Sequence, residues 1–261
     1  MYNQIYNIDC LEGMKDIPDG AVDFILSDLP FNITCCHWDK KIPFEPMWEQ
    51  FKRVTKKNAA IALFANGKFL IELAASNLKM YRYKIVWLKN LATGFLNAKK
   101  MPLKAHEDIL IFYRQLPTYN PQFTKGKPYD YSRIVKWSDN YRAGKCQGAV
   151  NETGDRFPRD TQAFKGCFGG NCPEMFHPTQ KPIDLLEWLI KTYTNEGELV
   201  LDATIGSGST AVAAINTGRK FIGFETDAHY FEVAQRRIAE AQAKKAQELF
   251  DSTAIECEVI G

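Results

Sequence analysis

The stretch LVLDATIGSGSTAVAA, residues 199–214, decides the fold. It begins with an apolar run that ends in Asp202, continues through a turn that contains Gly206 and Gly208, and ends in small residues that favour a helix. Gly206, Gly208 and Ala211 have the spacing G-x-G-x-x-A, in which glycines at a strand-to-helix turn let a ligand approach the backbone. We therefore predict a strand, a ligand-binding turn and a helix in that order.

The next strand provides an acidic partner for this turn. FIGFE, residues 221–225, ends in Glu225. A carboxylate at the end of the strand that follows a glycine turn accepts hydrogen bonds from ribose hydroxyls. The pattern predicts a cofactor that contains a nucleoside, either a nicotinamide dinucleotide or S-adenosylmethionine. The alternative is a tight β-to-α turn that uses glycine without binding any ligand.

Further buried strands and helices lie on both sides of the first two. The apolar runs are VDFILS (22–27), AAIALF (59–64), YKIVWL (83–88) and DILIFY (108–113). Helices are predicted for 46–54, after Pro182, and from about Ala228 to about Leu249. Strands that alternate with helices predict an α/β protein with a doubly wound, mainly parallel sheet.

A second motif, SDLPF at residues 27–31, follows the strand VDFILS directly. It places a carboxylate, a proline-stiffened turn and an aromatic ring at the carboxyl end of a parallel strand, where ligands bind in such sheets. An ordinary polar turn would also fit these residues. We treat Asp28, Leu29, Pro30 and Phe31 as candidate catalytic residues.

The region 115–176 lacks sustained periodicity and contains five prolines, which predicts a loop-rich insert. Residues 79–145 hold 14 Lys and Arg against 4 Asp and Glu, with many aromatic residues between them. Such a composition suits a nucleic-acid backbone and unstacked bases, although a solvated basic face over an aromatic core is the alternative. The candidate DNA-binding residues are Lys125, Lys127, Lys136 and Arg142.

Composition narrows the class of protein further. The fractions of 45% hydrophobic and 25% charged residues are those of a globular chain. No apolar run is long enough to span a membrane and no signal peptide is visible, so we expect a cytoplasmic protein with no membrane partner. The seven cysteines are odd in number and lack CxxC spacing, which predicts reduced thiols. Zinc binding by Cys35, Cys36, His37, Cys167, Cys172 and His177 would need non-standard spacings, and we predict no metal site.

The whole chain resembles the S-adenosylmethionine-dependent amino-methyltransferases of DNA. SDLPF is similar to that family's D-P-P-Y-like tetrapeptide. HPTQKP (177–182), followed by LVLDATIGSGSTAVAA (199–214) and the strand FIGFE (221–225), is similar to its cofactor half. The order, with the tetrapeptide first and the cofactor loop last, is that of the group called beta. The resemblance implies a Rossmann-like methyltransferase fold with a catalytic half at 1–114, a target-recognition insert at 115–176 and a cofactor half at 177–261.

The resemblance also implies roles for individual residues. Asp28 and the Leu29 carbonyl would accept the two N–H bonds of a target amine while Phe31 stacks on the extruded base. Six cofactor-binding residues are implied besides Glu225, which would bind the ribose: Asp9 at the cofactor adenine, and Asp202, Gly206, Gly208, Thr179 and Lys181 at the methionine end. For Asp9 and Lys181 the alternatives are a solvated turn carboxylate and a surface cation. The partner would be double-stranded DNA, and a homodimer is compatible with the sequence.

Three departures from the family pattern stand out. Leu29 replaces the first proline of the tetrapeptide, Phe31 replaces the commoner tyrosine, and ATIGSGST stands where PFAGSGTT is more frequent. Aspartate at position 28 favours adenine N6 as the target, because the cytosine-N4 enzymes usually have serine there. Cytosine N4 methylation is the first alternative. A nicotinamide-dependent oxidoreductase and a DNA-binding relative without turnover are the others.

Overall fold

The computed structural model describes residues 2–31, 40–130, 150–166, 176 and 179–259. Within the chain, Met1–Asn120 and Asp160–Gly261 form one compact unit, and Pro121–Arg159 form a second, smaller unit. Both predicted motifs, SDLPF and the glycine turn, lie in the larger unit.

The larger unit is built from a single eight-stranded sheet with helices on its two faces. Its strands are β1 (Gln4–Tyr6), β2 (Val22–Ser27), β3 (Thr55–Ala65), β4 (Tyr81–Thr93), β5 (Lys104–Tyr113), β10 (Thr161–Phe164), β11 (Leu199–Asp202) and β12 (Lys220–Phe224). Its helices are α1 (Cys10–Gly13), α2 (Phe44–Val54), α3 (Gly67–Ser76), α4 (Ile183–Tyr193), α5 (Ser209–Asn216) and α6 (Ala228–Val259). Short 3-10 turns follow α1 and β4, at Met14–Asp16 and Phe95–Asn97.

The strand order is β1-β12-β11-β2-β3-β5-β4-β10. Neighbouring strands are parallel except that β5 runs antiparallel to both β3 and β4. The connection from β4 to β5 is too short to hold the crossover helix that a parallel arrangement needs, so β5 turns back beside β4. The predicted α/β fold with a mainly parallel sheet is therefore confirmed, with β5 as the reversed strand.

Successive side chains of the central strands point to opposite faces of the sheet, so each face has its own hydrophobic core. In β3, Ile61 and Leu63 pack on the face covered by α2 and α3, whereas Ala62 and Phe64 face α4 and α5. All four side chains are buried. Because both faces are covered, the central strands are apolar throughout, which explains the continuous runs in the sequence.

The smaller unit contains two short antiparallel pairs among its described residues. β6 (Thr124–Lys125) pairs with β9 (Asp155–Arg156), and β7 (Tyr129–Asp130) pairs with β8 (Val150–Asn151). Gly154 makes the turn before β9 at φ +76°. The range predicted as an insert, 115–176, contains this unit, but it also contains β10, which pairs with β4 in the main sheet. None of the helices in the described ranges is long and apolar enough to cross a membrane.

Candidate active site

A cavity of about 650 Å³ opens at the carboxyl ends of the parallel strands of the larger unit. The turns after β1, β2, β11 and β12 contribute to its wall. It is lined by ten of the predicted site residues: Asp9, Asp28, Leu29, Pro30, Phe31, Thr179, Lys181, Asp202, Gly206 and Glu225. The sheet thus brings the two motifs, which are far apart in sequence, to one site.

The glycine turn after β11 depends on left-handed backbone at two positions. Gly206 lies at φ +53° and Gly208 at φ +84°, in a region that side-chain-bearing residues rarely adopt. A Cβ at Gly206 would meet no atom within 4 Å, whereas a Cβ at Gly208 would approach the Ala234 side chain of α6 to 3.0 Å. Gly206 therefore leaves room at the cavity, and Gly208 lets α5 begin close to α6.

A buried arginine of α6 stabilises the same turn through hydrogen bonds. Arg237 of α6 donates to the Ser207 carbonyl over 2.6 Å and to the hydroxyls of Ser207 and Ser209 over 3.1 Å. The charged donor fixes the backbone between the two glycines. Arg237 is not predictable from a local motif, because 30 positions separate it from Ser207 in the loop.

Glu225 joins the glycine turn to the end of β12. Its Oε2 accepts from the backbone N–H of Gly206 over 2.9 Å, and its Oε1 accepts from that of Asp227 over 2.8 Å. Burial raises the pKa of Glu225, and these backbone bonds oppose the rise. Each carboxylate oxygen has a second lone pair, so the side chain can hold the turn and still accept hydroxyl bonds from a ribose.

The two other predicted cofactor carboxylates differ in environment. Asp202 is buried, and this burial raises its pKa to about 6 despite hydrogen bonds from Thr210 and the Thr204 N–H. Asp9 is exposed and caps α1 by accepting from the Leu11 N–H over 2.8 Å. The cap accounts for Asp9 structurally, and its position in the cavity wall leaves the predicted contact with cofactor adenine as a proposal.

The turn after β2 is fastened directly to the loop after β11. The Ser27 hydroxyl oxygen accepts from the Ala203 N–H over 2.8 Å, and the Thr204 hydroxyl donates to the Asp28 carbonyl over 3.0 Å. The Leu29 side chain is buried in the core at 3% exposure, so leucine at this position also packs. The Phe31 ring stacks on Phe69 with 4.7 Å between centroids.

Lys181 lies inside the site and not on the surface. Its Nζ lies 2.5 Å from Asp28 Oδ2 and 3.4 Å from Glu107 Oε2, and Glu107 in turn pairs with Lys89. Burial alone would lower the pKa of Lys181, but the carboxylates of Asp28 and Glu107 outweigh it and raise that pKa. The alternative of a surface cation is therefore wrong, and the ammonium group contacts the catalytic turn.

Glu107 and Lys89 are site residues that the sequence analysis missed. Both lie in the cavity wall, Lys89 near the end of β4 and Glu107 in the first half of β5. Glu107 reaches this edge of the sheet because β5 is antiparallel. The available signal was a pair of opposite charges next to apolar runs, in LKN and HED.

The predicted DNA-binding residues fall in the smaller unit. Lys125 and Lys127 are exposed, and Lys125 forms an ion pair with Asp155 over 2.6 Å. Lys136 and Arg142 lie outside the described residues. The cysteines and histidines of the conceivable zinc set, at 35–37, 167, 172 and 177, also lie outside them. In the described ranges, no group of three metal-ligating side chains occurs.

The fold and the site define the class. A doubly wound sheet that brings a glycine turn, a carboxylate at the end of the next strand and a D-L-P-F turn to one cavity is the arrangement expected of an S-adenosylmethionine-dependent methyltransferase. Residues 22–236 match the family model described as DNA methylase, of the N6 and N4 methyltransferases. The chain belongs to this family, and it is a DNA methyltransferase whose cofactor is S-adenosylmethionine.

Similar proteins agree with this assignment. The chain is 29% identical over 258 residues to Type II methyltransferase M.BglII of Bacillus subtilis, with 91% of this chain and 69% of the relative covered. It is 28% identical over 260 residues to the DNA adenine methyltransferase YhdJ of Escherichia coli strain K12, with 92% and 84% covered. By name, the first relative is a Type II methyltransferase and the second is a DNA adenine methyltransferase.

Solved structures show the same fold. The M1.HpyAVI complex with S-adenosylmethionine has a TM-score of 0.60 at 23% identity and covers 90% of this chain and 98% of that one. The cytosine-N4-specific PvuII DNA methyltransferase has a TM-score of 0.64 at 14% identity, with 93% and 92% covered. Because a cytosine-N4-specific enzyme shares this fold, the fold alone does not identify adenine as the target base.

Proposed function

We propose that this protein transfers a methyl group from S-adenosylmethionine to the exocyclic N6 of adenine in double-stranded DNA. The observation that carries the proposal is Asp28. Its Oδ1 is buried at the cavity and has no hydrogen-bond partner among the described residues, so it is an acceptor available for an amine N–H. The adenine enzyme among the relatives supports the choice of base.

An aromatic amine is a poor nucleophile because its lone pair is delocalised into the ring. Asp28 Oδ1 accepts one N–H of the amine and the Leu29 carbonyl accepts the other, which aims the lone pair out of the ring plane. Phe31, held by Phe69, packs on the base. Bound S-adenosylmethionine would supply an electrophilic methyl group on a sulfonium, which becomes a neutral thioether when the nitrogen takes the methyl group. The nitrogen would then lose one proton, and we assign Asp28 as its acceptor.

The remaining proposed contacts divide between cofactor and DNA. Glu225, Asp9 and Asp202 hold the nucleoside and methionine ends, with Thr179, Gly206 and Gly208 around them. Extruding the base costs a few kcal/mol in unpairing and unstacking. We assign the offsetting contacts to the basic insert, in which Lys125 and Lys127 are exposed.

Analysis of the nucleosides in methylated DNA tests both the activity and the choice of base. The purified protein is incubated with S-adenosylmethionine and genomic DNA from a strain without DNA methyltransferases, and the DNA is digested to nucleosides for mass spectrometry. N6-methyldeoxyadenosine that depends on the protein and on Asp28 is the expected product. N4-methyldeoxycytidine alone would overturn the choice of base, and no methylated nucleoside would overturn the activity.

A further inference from the structure

Four charged side chains alternate in sign along one wall of the cavity. In order they are Asp28 on the turn after β2, Lys181 before α4, Glu107 on β5 and Lys89 on β4. Two carboxylates and two ammonium groups make the row neutral in total. The Phe64 ring of β3 lies 5.0 Å from Lys181 Nζ, which also donates to the Thr179 carbonyl over 3.5 Å.

The Lys181 ammonium lies near two carboxylates, those of Asp28 and Glu107. It now makes a 2.5 Å hydrogen bond with Asp28 Oδ2, while Glu107 Oε2 lies 3.4 Å away and has no hydrogen-bond partner among the described residues. A shift of the ammonium by about one ångström would bring Glu107 within ordinary hydrogen-bond distance. Such a shift would leave Asp28 without its counter-ion.

That shift matters for the proposed methyl transfer, on which the inference rests. An ammonium on Asp28 offsets the carboxylate charge that must attract the target amine, and it repels the positive charge that develops on the nitrogen. We propose that Glu107 is a positioning residue, which takes the Lys181 ammonium from Asp28 when the target base enters.

The protonation of the row is consistent with this exchange. Burial acts to raise the pKa of Glu107, but Lys181 and Lys89 outweigh it and lower that pKa, so Glu107 is ready to accept the ammonium. Burial raises the pKa of Asp28, and Lys181 is the main influence that limits the rise. Removing Lys181 therefore makes Asp28 a stronger proton acceptor when the methylated nitrogen must lose a proton.

The first test uses single-turnover methyl transfer to unmethylated genomic DNA at saturating S-adenosylmethionine. In Glu107→Gln, Lys181 has no second carboxylate and stays on Asp28, so we expect a rate at least about tenfold lower. In the double variant Glu107→Gln, Lys181→Met the competing ammonium is gone, and the rate should exceed that of Glu107→Gln by about threefold or more.

A second double variant separates position from net charge. Glu107→Gln, Lys89→Met also restores a neutral row, yet it retains Lys181 on Asp28 and should remain as slow as Glu107→Gln. Equal rates for the two double variants would overturn the proposal. Glu240→Gln, an exposed ion-pair residue of α6, is the matched control and should equal wild type.

The pH dependence provides a readout that a merely structural role would not move. Methyl transfer requires ionised Asp28. The charged groups that face Lys181 and Asp28 are Glu107, Lys89 and Asp202, and Asp202 is retained in every variant. In wild type the departure of Lys181 leaves Asp28 with a raised pKa. In Glu107→Gln the retained ammonium lowers that pKa, and the loss of the Glu107 carboxylate, which raises it in wild type, acts in the same direction. The acid limb of the rate–pH profile should therefore lie about one pH unit lower in Glu107→Gln than in wild type. An unmoved acid limb overturns the proposal.

Cofactor binding is measured on every variant by calorimetry. If the Lys181→Met double variant does not bind S-adenosylmethionine, the comparison of Glu107→Gln with Glu107→Gln, Lys89→Met decides, and a rate that removal of Lys89 restores overturns the proposal. Failure of the proposed function is distinct, because wild type itself would then methylate no DNA. Failure of the inference leaves wild type active and the expected order of the variants absent.

Discussion

The hydroxyl of Thr204 donates a 3.0 Å hydrogen bond to the backbone carbonyl of Asp28. This bond ties the loop that is expected to surround the methionine end of the cofactor to the turn that is expected to hold the target amine. The relative placement of methyl donor and acceptor therefore depends on this bond, together with the one from the Ala203 N–H to the Ser27 hydroxyl.

Replacing Thr204 by valine should lower the rate of methyl transfer more than it lowers cofactor affinity. A hydrogen bond of this kind contributes about 1 kcal/mol, or about fivefold in rate if it acts in the transition state. Single-turnover rates and calorimetric dissociation constants on one preparation measure both effects. Thr161→Val, at an exposed position of β10, is the control. A larger change in affinity than in rate would contradict the prediction.

Asp28→Ala should abolish methyl transfer and leave affinity for S-adenosylmethionine within a few fold of wild type. The carboxylate contacts Lys181 and is expected to act on the amine, not on the cofactor. A methylation assay and calorimetry decide the point. Asp19→Ala, at a mainly exposed carboxylate, should change neither quantity. Retained turnover in Asp28→Ala would remove the assigned role.

Glu225→Ala should weaken S-adenosylmethionine binding by about tenfold to a hundredfold, because charged hydrogen bonds contribute about 1.5–3 kcal/mol each. The variant should also unfold at a lower temperature, since Gly206 and Asp227 lose their backbone acceptor. Calorimetry gives the affinity and a thermal melt gives the stability. An unchanged dissociation constant would place the cofactor elsewhere.

Alanine at the two glycines of the turn should have different effects. Gly208→Ala combines left-handed backbone with a Cβ 3.0 Å from Ala234, so it should chiefly lower the melting temperature. Gly206→Ala has the backbone strain but open space around the new Cβ, which lies at the cavity, so cofactor affinity should fall more than for Gly208→Ala after correction for stability. Identical losses in both variants would be the contrary result.

Lys127→Glu should weaken DNA binding and flatten its salt dependence without changing cofactor affinity. Each lost phosphate contact lowers the slope of log affinity against log salt by about 0.9. Lys125→Glu should have the smaller effect, because Lys125 is already paired with Asp155. Filter binding at several salt concentrations measures both. Unchanged slopes would move DNA recognition away from this unit.

The sequence predicts most of the fold because the central strands are covered on both faces. VDFILS and AAIALF are continuous apolar runs, and the structure has strands β2 and β3 there. The elements that were not predicted include β1, α3 and β10. β1 and β10 are only three and four residues long, and α3 begins at Gly67, so none carries a strong local pattern.

The site residues likewise fall into two groups, those that a local sequence motif predicts and those that only the tertiary structure brings together. Asp28, Gly206 and Glu225 stand in local motifs at strand ends, and the structure places all three at the cavity. Glu107 and Lys89 could not be assigned, because their meeting requires the reversal of β5 and its register against β4. Lys181 was found by its motif, but its contact with Asp28 spans 153 positions, a distance that no local pattern encodes.

The placement of β11 between β2 and β12 has a consequence for biogenesis. Ser27 and Ala203, whose hydrogen bond joins the two loops of the pocket, are 176 positions apart. During synthesis Ser27 therefore leaves the ribosome long before Ala203. Until then the backbone edge of β2 lacks the neighbour that covers it, and unpaired strand edges invite association between nascent chains. Completion of the sheet is thus a late event that must wait for the carboxyl-terminal strands, and a chaperone that shields this edge would raise the yield of active enzyme.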